Sequence, residues 1–171
     1  MGESHEGTCS DHESARASSE CADSRNVEEA GWQFASNSTS RKGLELAGRP
    51  AAALTFYWVP MARQVRISGA VVASEPDERA RDFLARSESA RAAALMGRQS
   101  HPLGAQTDMD EALAKASARI GEDPDTVAPG WTLYTLRPEE VEFWQADPDR
   151  RHLRLQYRRH DSAWTRTLLW P

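Results

Sequence analysis

"AAALTFYWVPMARQVRISGAVVAS" runs from Ala51 to Ser74. Its first eight residues, Ala51–Trp58, are nearly all apolar, which predicts a strand buried on both faces near the centre of a sheet. "VPMA" then turns the chain. From Arg63 the pattern changes to alternation, with Val65, Ile67 and Val71 pointing one way and Gln64, Arg66 and Ser68 the other. That is the period of a strand with one wet face.

Upstream, "GWQFAS" (Gly31–Ser36) reads as a strand after a polar "EEAG" turn. "SRKGLELAGRP" reads as a short helix, with Ser40 as N-cap and Gly48 and Pro50 as the stop. Downstream, "EPDERARDFLARSESARAAALMGRQS" is helical, with a break expected at Ser87–Ser89. "TDMDEALAKASARIG" (Thr107–Gly121) is a further helix, with a capping-box-like start at Thr107 and Asp110 and Gly121 just past its end. "WTLYTLRP", "VEFWQ", "HLRLQYRR" and "WTRTLLW" read as four closing strands. Strands therefore come from both ends of the chain with helices between them. That order excludes a βαβ parallel sheet and predicts an α+β, mainly β, antiparallel sheet or barrel with helices packed outside.

The 171 residues suit one domain with a real core. No apolar run approaches the roughly 18 residues of a membrane helix, no signal peptide is visible, and the expected location is the cytoplasm. A net charge of −5 speaks against general nucleic-acid binding. Residues 1–25 carry −4 of that charge and contain no Val, Ile, Leu, Phe, Tyr or Trp. Such a stretch buries too little surface to offset its ordering entropy, so 1–26 is expected to be a disordered acidic tail ahead of a folded domain at 27–171. Cys9 and Cys21 lie in it near His5 and His12, at a spacing that matches no standard zinc pattern, and no metal site is expected.

No dinucleotide fingerprint, phosphate-binding loop, nucleophile elbow or HExxH motif is present. The strongest chemical signals are cationic. Arg41 and Lys42 stand side by side after "SNSTS", either in a solvated turn or in a cradle for an anion. In "RRHLRLQYR", His152, Arg154, Gln156 and Arg158 share one strand face, with Arg150 just ahead in register. That face is either a solvated exterior or a wall for an anionic or aromatic ligand. Gln64 offers a donor and an acceptor to a heterocycle edge. Gln99 and Ser100 sit in the polar turn "GRQSHP", and Trp144 in "EFWQ" is by default a core residue.

Taken in order, "SRKGLELAGRPAAALTFYW", "RQVRISG", "RQSHPL", "VEFWQ" and "R-x-H-x-R" resemble the pyridoxamine 5′-phosphate oxidase family over Gly31–Pro171. The resemblance implies an FMN-binding split β-barrel, working as a homodimer with FMN at the subunit interface. It implies that Arg41 and Lys42 hold the FMN phosphate, helped by Ala35 and Ser36, and that Gln64 contacts the ring. Gln99 and Ser100 would reach FMN from the partner subunit, with Trp144 and Arg154 completing the pocket. Arg150 and His152 would face the substrate, and Arg86 falls where the family binds substrate phosphate. The implied reaction is oxidation of pyridoxamine or pyridoxine 5′-phosphate by oxygen, giving pyridoxal 5′-phosphate and peroxide.

Three departures bear on that expectation. The family's upstream strand pair, with a pattern like R-x-x-L-L-K, is replaced by "SSECADSRNVEEAG" (Ser18–Gly31), so an N-terminus truncated, wrongly started or frame-shifted is expected. Asp82 and Ala90 stand where the family has Tyr and Ser near the substrate phosphate, and "WTLY" replaces "W-G-G-Y". The flavin half of the site is thus better kept than the substrate half. This leaves open a related oxidase of an unphosphorylated ring, as in phenazine biosynthesis, or a flavin-binding remnant without turnover.

Overall fold

The structure is a computed structural model that describes residues 6–10, 20–28 and 30–171. Among them are eight strands and four helices. The strands are β1 (Glu6–Ser10), β2 (Glu20–Glu28), β3 (Gly31–Asn37), β4 (Ala51–Trp58), β5 (Arg63–Ala73), β6 (Trp131–Gln145), β7 (Leu153–His160) and β8 (Ala163–Leu169). The helices are α1 (Arg41–Gly48), α2 (Pro76–Leu84), α3 (Glu88–Leu95) and α4 (Gln106–Glu122).

The strands form one sheet in the order β3-β2-β1-β4-β5-β6-β7-β8, with β3 also pairing β6, as in a split barrel. The pairings β1–β2, β1–β4, β2–β3, β4–β5, β6–β7 and β7–β8 are all antiparallel. The opening stretch behaves as its pattern dictates. β4 lies in the middle of the order, with Ala52, Ala53 and Leu54 at 2% exposure or less, and Ile67 of β5 lies opposite Leu54.

β1 and the first part of β2 lie within residues 1–26, the stretch expected to be a disordered tail. β1 pairs with both β2 and β4, placing Thr8 opposite Cys21 and opposite Thr55. Main-chain pairing with a strand as central as β4 asks little of side-chain type. His5 and His12 lie outside the described residues.

The chain divides into two compact units. The first comprises Met1–Phe34, Arg49–Val72 and Tyr134–Pro171, and holds most of the sheet. Phe34 and Tyr134 stack in its interior with ring centroids 5.4 Å apart. The two strands expected at "WTLYTLRP" and "VEFWQ" are one continuous β6 running through Pro138. Proline interrupts a ladder by lacking its N–H. Here Gly69 lies against the backbone of Arg137 and Glu139, so closely that a Cβ would overlap the Arg137 carbonyl oxygen. A bare backbone on β5 lets the strand pass its proline without breaking.

The second unit comprises Ala35–Gly48 and Ala73–Leu133. Its helices separate at Ser87 as expected, where the Ser87 hydroxyl accepts from the Ala90 N–H and caps α3. α3 and α4 pack through Ala92, Ala116 and Ile120. The buried Arg91 donates to the carbonyls of Pro124 and Thr126 and so ties down the loop after α4. The start of α4 differs from the expectation at Thr107. Ala105 is the N-cap, and Asp108 accepts from its N–H at 3.1 Å. Gly121 lies inside the helix, which continues to Glu122 because Asp123 N–H still reaches the Arg119 carbonyl.

Candidate functional site

In the second unit, the segment from Ser36 to Gly43 is built by its own hydroxyls. Asn37 Oδ1 accepts from both the N–H and the hydroxyl of Thr39, at 2.9 and 2.8 Å, a tight Asx turn. Ser40 Oγ donates to the Asn37 carbonyl at 2.6 Å and accepts from the Gly43 N–H at 3.1 Å, which makes it the expected N-cap. Ser36 Oγ sits 3.3 Å from Ser40 Oγ, and both residues are buried. The hydroxyls of Thr39 and Ser40 therefore shape the turn rather than face a ligand. Two cations follow the turn at the start of α1, in different surroundings. Lys42 is 5% exposed, while Arg41 projects outward and pairs with Glu45 at 3.1 Å.

Gln99 is brought to this turn, its Oε1 lying 3.5 Å from the Asn37 N–H. That contact is within one protomer, whereas the resemblance places Gln99 on the partner's flavin. Ser100 beside it has φ 69°, in the left-handed region that favours glycine. Arg86 follows α2, its guanidinium 4.4 Å above the Trp131 ring. The Trp131 indole N–H donates to Asp82 at 2.8 Å, and Phe83 meets the same ring edge-on. Asp82 and Arg86 thus grip one indole from two sides.

In the first unit, a groove of about 480 Å³ is lined by Gln64 and Val65 of β5, Trp58 and Met61 before them, Phe143 and Trp144 of β6, and Leu153 and Leu155. Gln64 and Trp144, eighty residues apart in sequence, thus line the same apolar cleft. The turn "VPMA" makes this possible. Pro60 sits in a 3₁₀ turn that closes on Ala62 at φ 46°, and the Ala62 carbonyl accepts from Ala146 N–H at 2.9 Å.

Trp144 lies opposite Arg154 in the β6–β7 register, Glu142 opposite Gln156, and Glu140 opposite Arg158. The cationic face expected on β7 is therefore met by carboxylates. Arg154 holds Glu142 through two bonds, at 2.8 and 3.2 Å, and donates to the Trp170 carbonyl. Arg158 holds Glu140 at 2.9 Å. The hydrogen bond to Glu142 raises the already high pKa of Arg154, so it stays a cation.

His152 and Arg150 precede β7 rather than continuing its face. The Asp147 carboxylate accepts from the N–H groups of Asp149 and Arg151 and folds this turn. His152 Nδ1 accepts from the Asp147 N–H at 3.1 Å, which leaves the proton on Nε2, and its ring lies 5.2 Å from that of Trp144. Arg150 sits at φ 65°, exposed. A non-glycine residue there costs about 1 kcal/mol. Arg150→Gly is therefore expected to raise unfolding stability by about 1 kcal/mol in urea titrations. An equal or lower midpoint would show that the side chain stabilises the turn.

Asn37, Asp147 and Glu142 are the organising residues that sequence reasoning missed. The first two had a signal, since Asn-Ser-Thr and Asp-Pro-Asp are turn-forming strings. Glu142 had none, because its partner lies on the next strand.

The sequence model of the family described as "Pyridoxamine 5′-phosphate oxidase" matches residues 7–145, and that of the "Pyridoxine 5′-phosphate oxidase C-terminal dimerisation region" matches 131–171. The chain belongs to the pyridoxamine 5′-phosphate oxidase family. It is 39% identical over 150 residues to the pyridoxine/pyridoxamine 5′-phosphate oxidase of Salinibacter ruber, covering 86% of this chain and 70% of that one. It is 40% identical over 148 residues to that of Paraburkholderia phymatum, covering 86% and 69%. Among solved structures it resembles PhzG of Burkholderia lata 383, in complex with tetrahydrophenazine-1-carboxylic acid. The identity is 31%, the TM-score 0.87, and the coverage 99% of this chain and 84% of that one. A pyridoxamine 5′-phosphate oxidase-related, FMN-binding protein of Nostoc punctiforme shares the fold, with a TM-score of 0.76 at 18% identity, over 98% of this chain and 88% of that one. No helix among the described residues is long and apolar enough to cross a membrane.

Proposed function

We propose that this chain is an FMN-dependent oxidase converting pyridoxamine or pyridoxine 5′-phosphate to pyridoxal 5′-phosphate, with oxygen as acceptor and peroxide as product, the amine substrate also consuming water and releasing ammonia. The observation that carries the flavin reading is the groove shared by Gln64 and Trp144. Its walls suit a flat ring, and the Gln64 amide offers both a donor and an acceptor to a heterocycle edge. Arg41 and Lys42 at the start of α1, with Ala35 and Ser36 before them, supply the charge a phosphate monoester needs. Gln99, Ser100 and Arg154 complete the set by family resemblance, and FMN would sit at the interface of a homodimer formed through 131–171.

FMN held there would supply the redox chemistry, two-electron oxidation of the substrate with oxygen as the final acceptor. The protein's part is binding and orientation. His152 offers its Nε2 proton as a donor to a substrate oxygen or nitrogen. Trp144 beside it covers the ring, and Arg150 reaches an anionic group from an exposed turn. Both residues position the substrate rather than form covalent bonds to it. Arg150→Gly should therefore lower kcat/KM even as it stabilises the turn.

One observation favours a second reading. Asp82 places a carboxylate one helical turn from Arg86, and Arg86 is stacked on the Trp131 that Asp82 anchors. A negative group there opposes a phosphate, which suits an oxidase of an unphosphorylated aromatic or heterocyclic substrate.

The test is peroxide release by the FMN-loaded protein. The first reading expects kcat/KM for pyridoxamine 5′-phosphate to exceed that for pyridoxamine by on the order of tenfold or more. Equal or inverted values would support the second. Flavin uptake with no peroxide from either amine would leave a binding protein without turnover.

A further inference from the structure

Gln64 and Trp144 line one groove because the chain segments that carry them are tied together. β5 begins at Arg63, just after the 3₁₀ turn Val59–Met61, and β6 ends at Gln145. Both segments lie in the first unit, on neighbouring strands of the sheet. Arg63 Nε donates to Gln145 Oε1. The Gln145 amide nitrogen donates in turn to the Met61 carbonyl at 3.4 Å. The next backbone N–H, that of Ala146, donates to the Ala62 carbonyl at 2.9 Å. Residues 61–63 and 145–146 are thus joined by two side-chain bonds and one backbone bond.

The side-chain bonds have a fixed sense. An amide oxygen accepts and an amide nitrogen donates, so Arg63 on one side and Met61 on the other hold Gln145 in a single orientation. Among the described residues lining the groove, Arg63 alone is charged. It is exposed, and its bond to Gln145 is the one side-chain hydrogen bond it makes among the described residues. The neighbours of Gln145 carry the consequence. Trp144 precedes it, with its ring 5.2 Å from that of His152. Asp147 follows two residues later, and its N–H donates to His152 Nδ1 at 3.1 Å. Gln145 therefore stands between the ring that lines the groove and the turn that fixes the His152 tautomer.

We propose that Arg63 is a positioning residue. Acting through Gln145, it sets the separation of the β5 and β6 walls and with it the placement of Trp144 and His152. The role rests on the flavin reading of the groove, and it assigns Arg63 no contact with flavin or substrate. Its effect is on geometry, so it acts on ring binding and on turnover. The phosphate grip at Arg41 and Lys42, in the other unit, is left unchanged.

The test compares Arg63→Ala, Arg63→Lys, Gln145→Leu and the Arg63→Ala/Gln145→Leu double variant with wild type. Flavin fluorescence gives the affinities for riboflavin and FMN. Visible circular dichroism reports the surroundings of the bound ring, and peroxide release gives kcat per bound flavin. Arg63→Ala should weaken riboflavin and FMN binding by the same factor, about tenfold, on the scale of one hydrogen bond from a charged group. Its visible dichroism should change, and kcat with pyridoxamine 5′-phosphate should fall about tenfold with KM nearly unchanged. Arg63→Lys keeps a donor and should recover most of each loss. The double variant should lose little beyond either single variant, because removing one partner already undoes the tie. Wild-type affinities and dichroism in Arg63→Ala, additive losses in the double variant, or an Arg63→Lys no better than Arg63→Ala would each overturn the proposal and leave the flavin reading standing. Wild-type protein that takes up neither riboflavin nor FMN would overturn the flavin reading, and the positioning role with it.

Discussion

Gly43→Ala is expected to destabilise the protein by about 3 kcal/mol and to abolish high-affinity FMN uptake, although the change adds a single methyl group to a helix. Alanine is the better helix former, by about 1 kcal/mol in an exposed position. Here the position is not open. A Cβ on Gly43 would lie 2.5 Å from the Ser38 carbonyl oxygen, 2.6 Å from its carbon, and equally close to the Asn37 carbonyl oxygen. All three are backbone atoms of the Asx turn, so no side chain can swing aside. Relief requires moving either α1 or the turn, and overpacking of this kind costs about 1–3 kcal/mol or more. The movement also breaks the Gly43 N–H bond to Ser40 Oγ, the cap on which the position of Arg41 and Lys42 depends. Urea unfolding and flavin-fluorescence titration read the two effects separately. A variant with wild-type stability and wild-type FMN affinity would show that the turn adapts and does not set the cation geometry.

That glycine illustrates which parts of the molecule were legible in the sequence. Patterns that repeat within a few residues were readable. The apolar run of β4, the alternation of β5, the Ser40 cap and the break at Ser87 all depend on near neighbours. What depended on pairing across the sheet was not. β1 and β2 carry no apolar signature, and their place follows from the main-chain groups of β4 and β3. The continuity of β6 through Pro138 depends on Gly69, some seventy residues away. The cationic face of β7 was visible, but Glu140 and Glu142, which answer Arg158 and Arg154, belong to a different strand. The candidate site divides in the same way. Its residues were proposed from motif order alone, whereas the joint lining of one groove by Gln64 and Trp144 is a property of the folded β4–β5 and β6–β7 pairs.

The double variant Arg41→Ala/Lys42→Ala is expected to weaken FMN binding by on the order of a hundredfold or more while leaving riboflavin binding nearly unchanged. A charge-assisted hydrogen bond contributes about 1.5–3 kcal/mol, so the loss of even one fully formed contact approaches that factor. The two cations differ in surroundings. Arg41 is more than half exposed and already shares its charge with Glu45, so its removal alone should have the smaller effect. Lys42 is buried at the start of α1, where its charge is screened less by water and adds to the field of the helix N-terminus. Lys42→Ala should therefore account for most of the loss, and Lys42→Arg should restore only part of it, because guanidinium and ammonium differ in shape and donor geometry. Raising the salt concentration should weaken wild-type FMN binding more than that of the double variant. Comparing FMN with riboflavin separates the phosphate grip from the ring groove, since riboflavin lacks the phosphate and keeps the ring. If both ligands weaken equally, the cations act by holding the fold. If neither weakens, the flavin phosphate is bound elsewhere, and the turn at Ser36–Gly43 serves only to join β3 to α1.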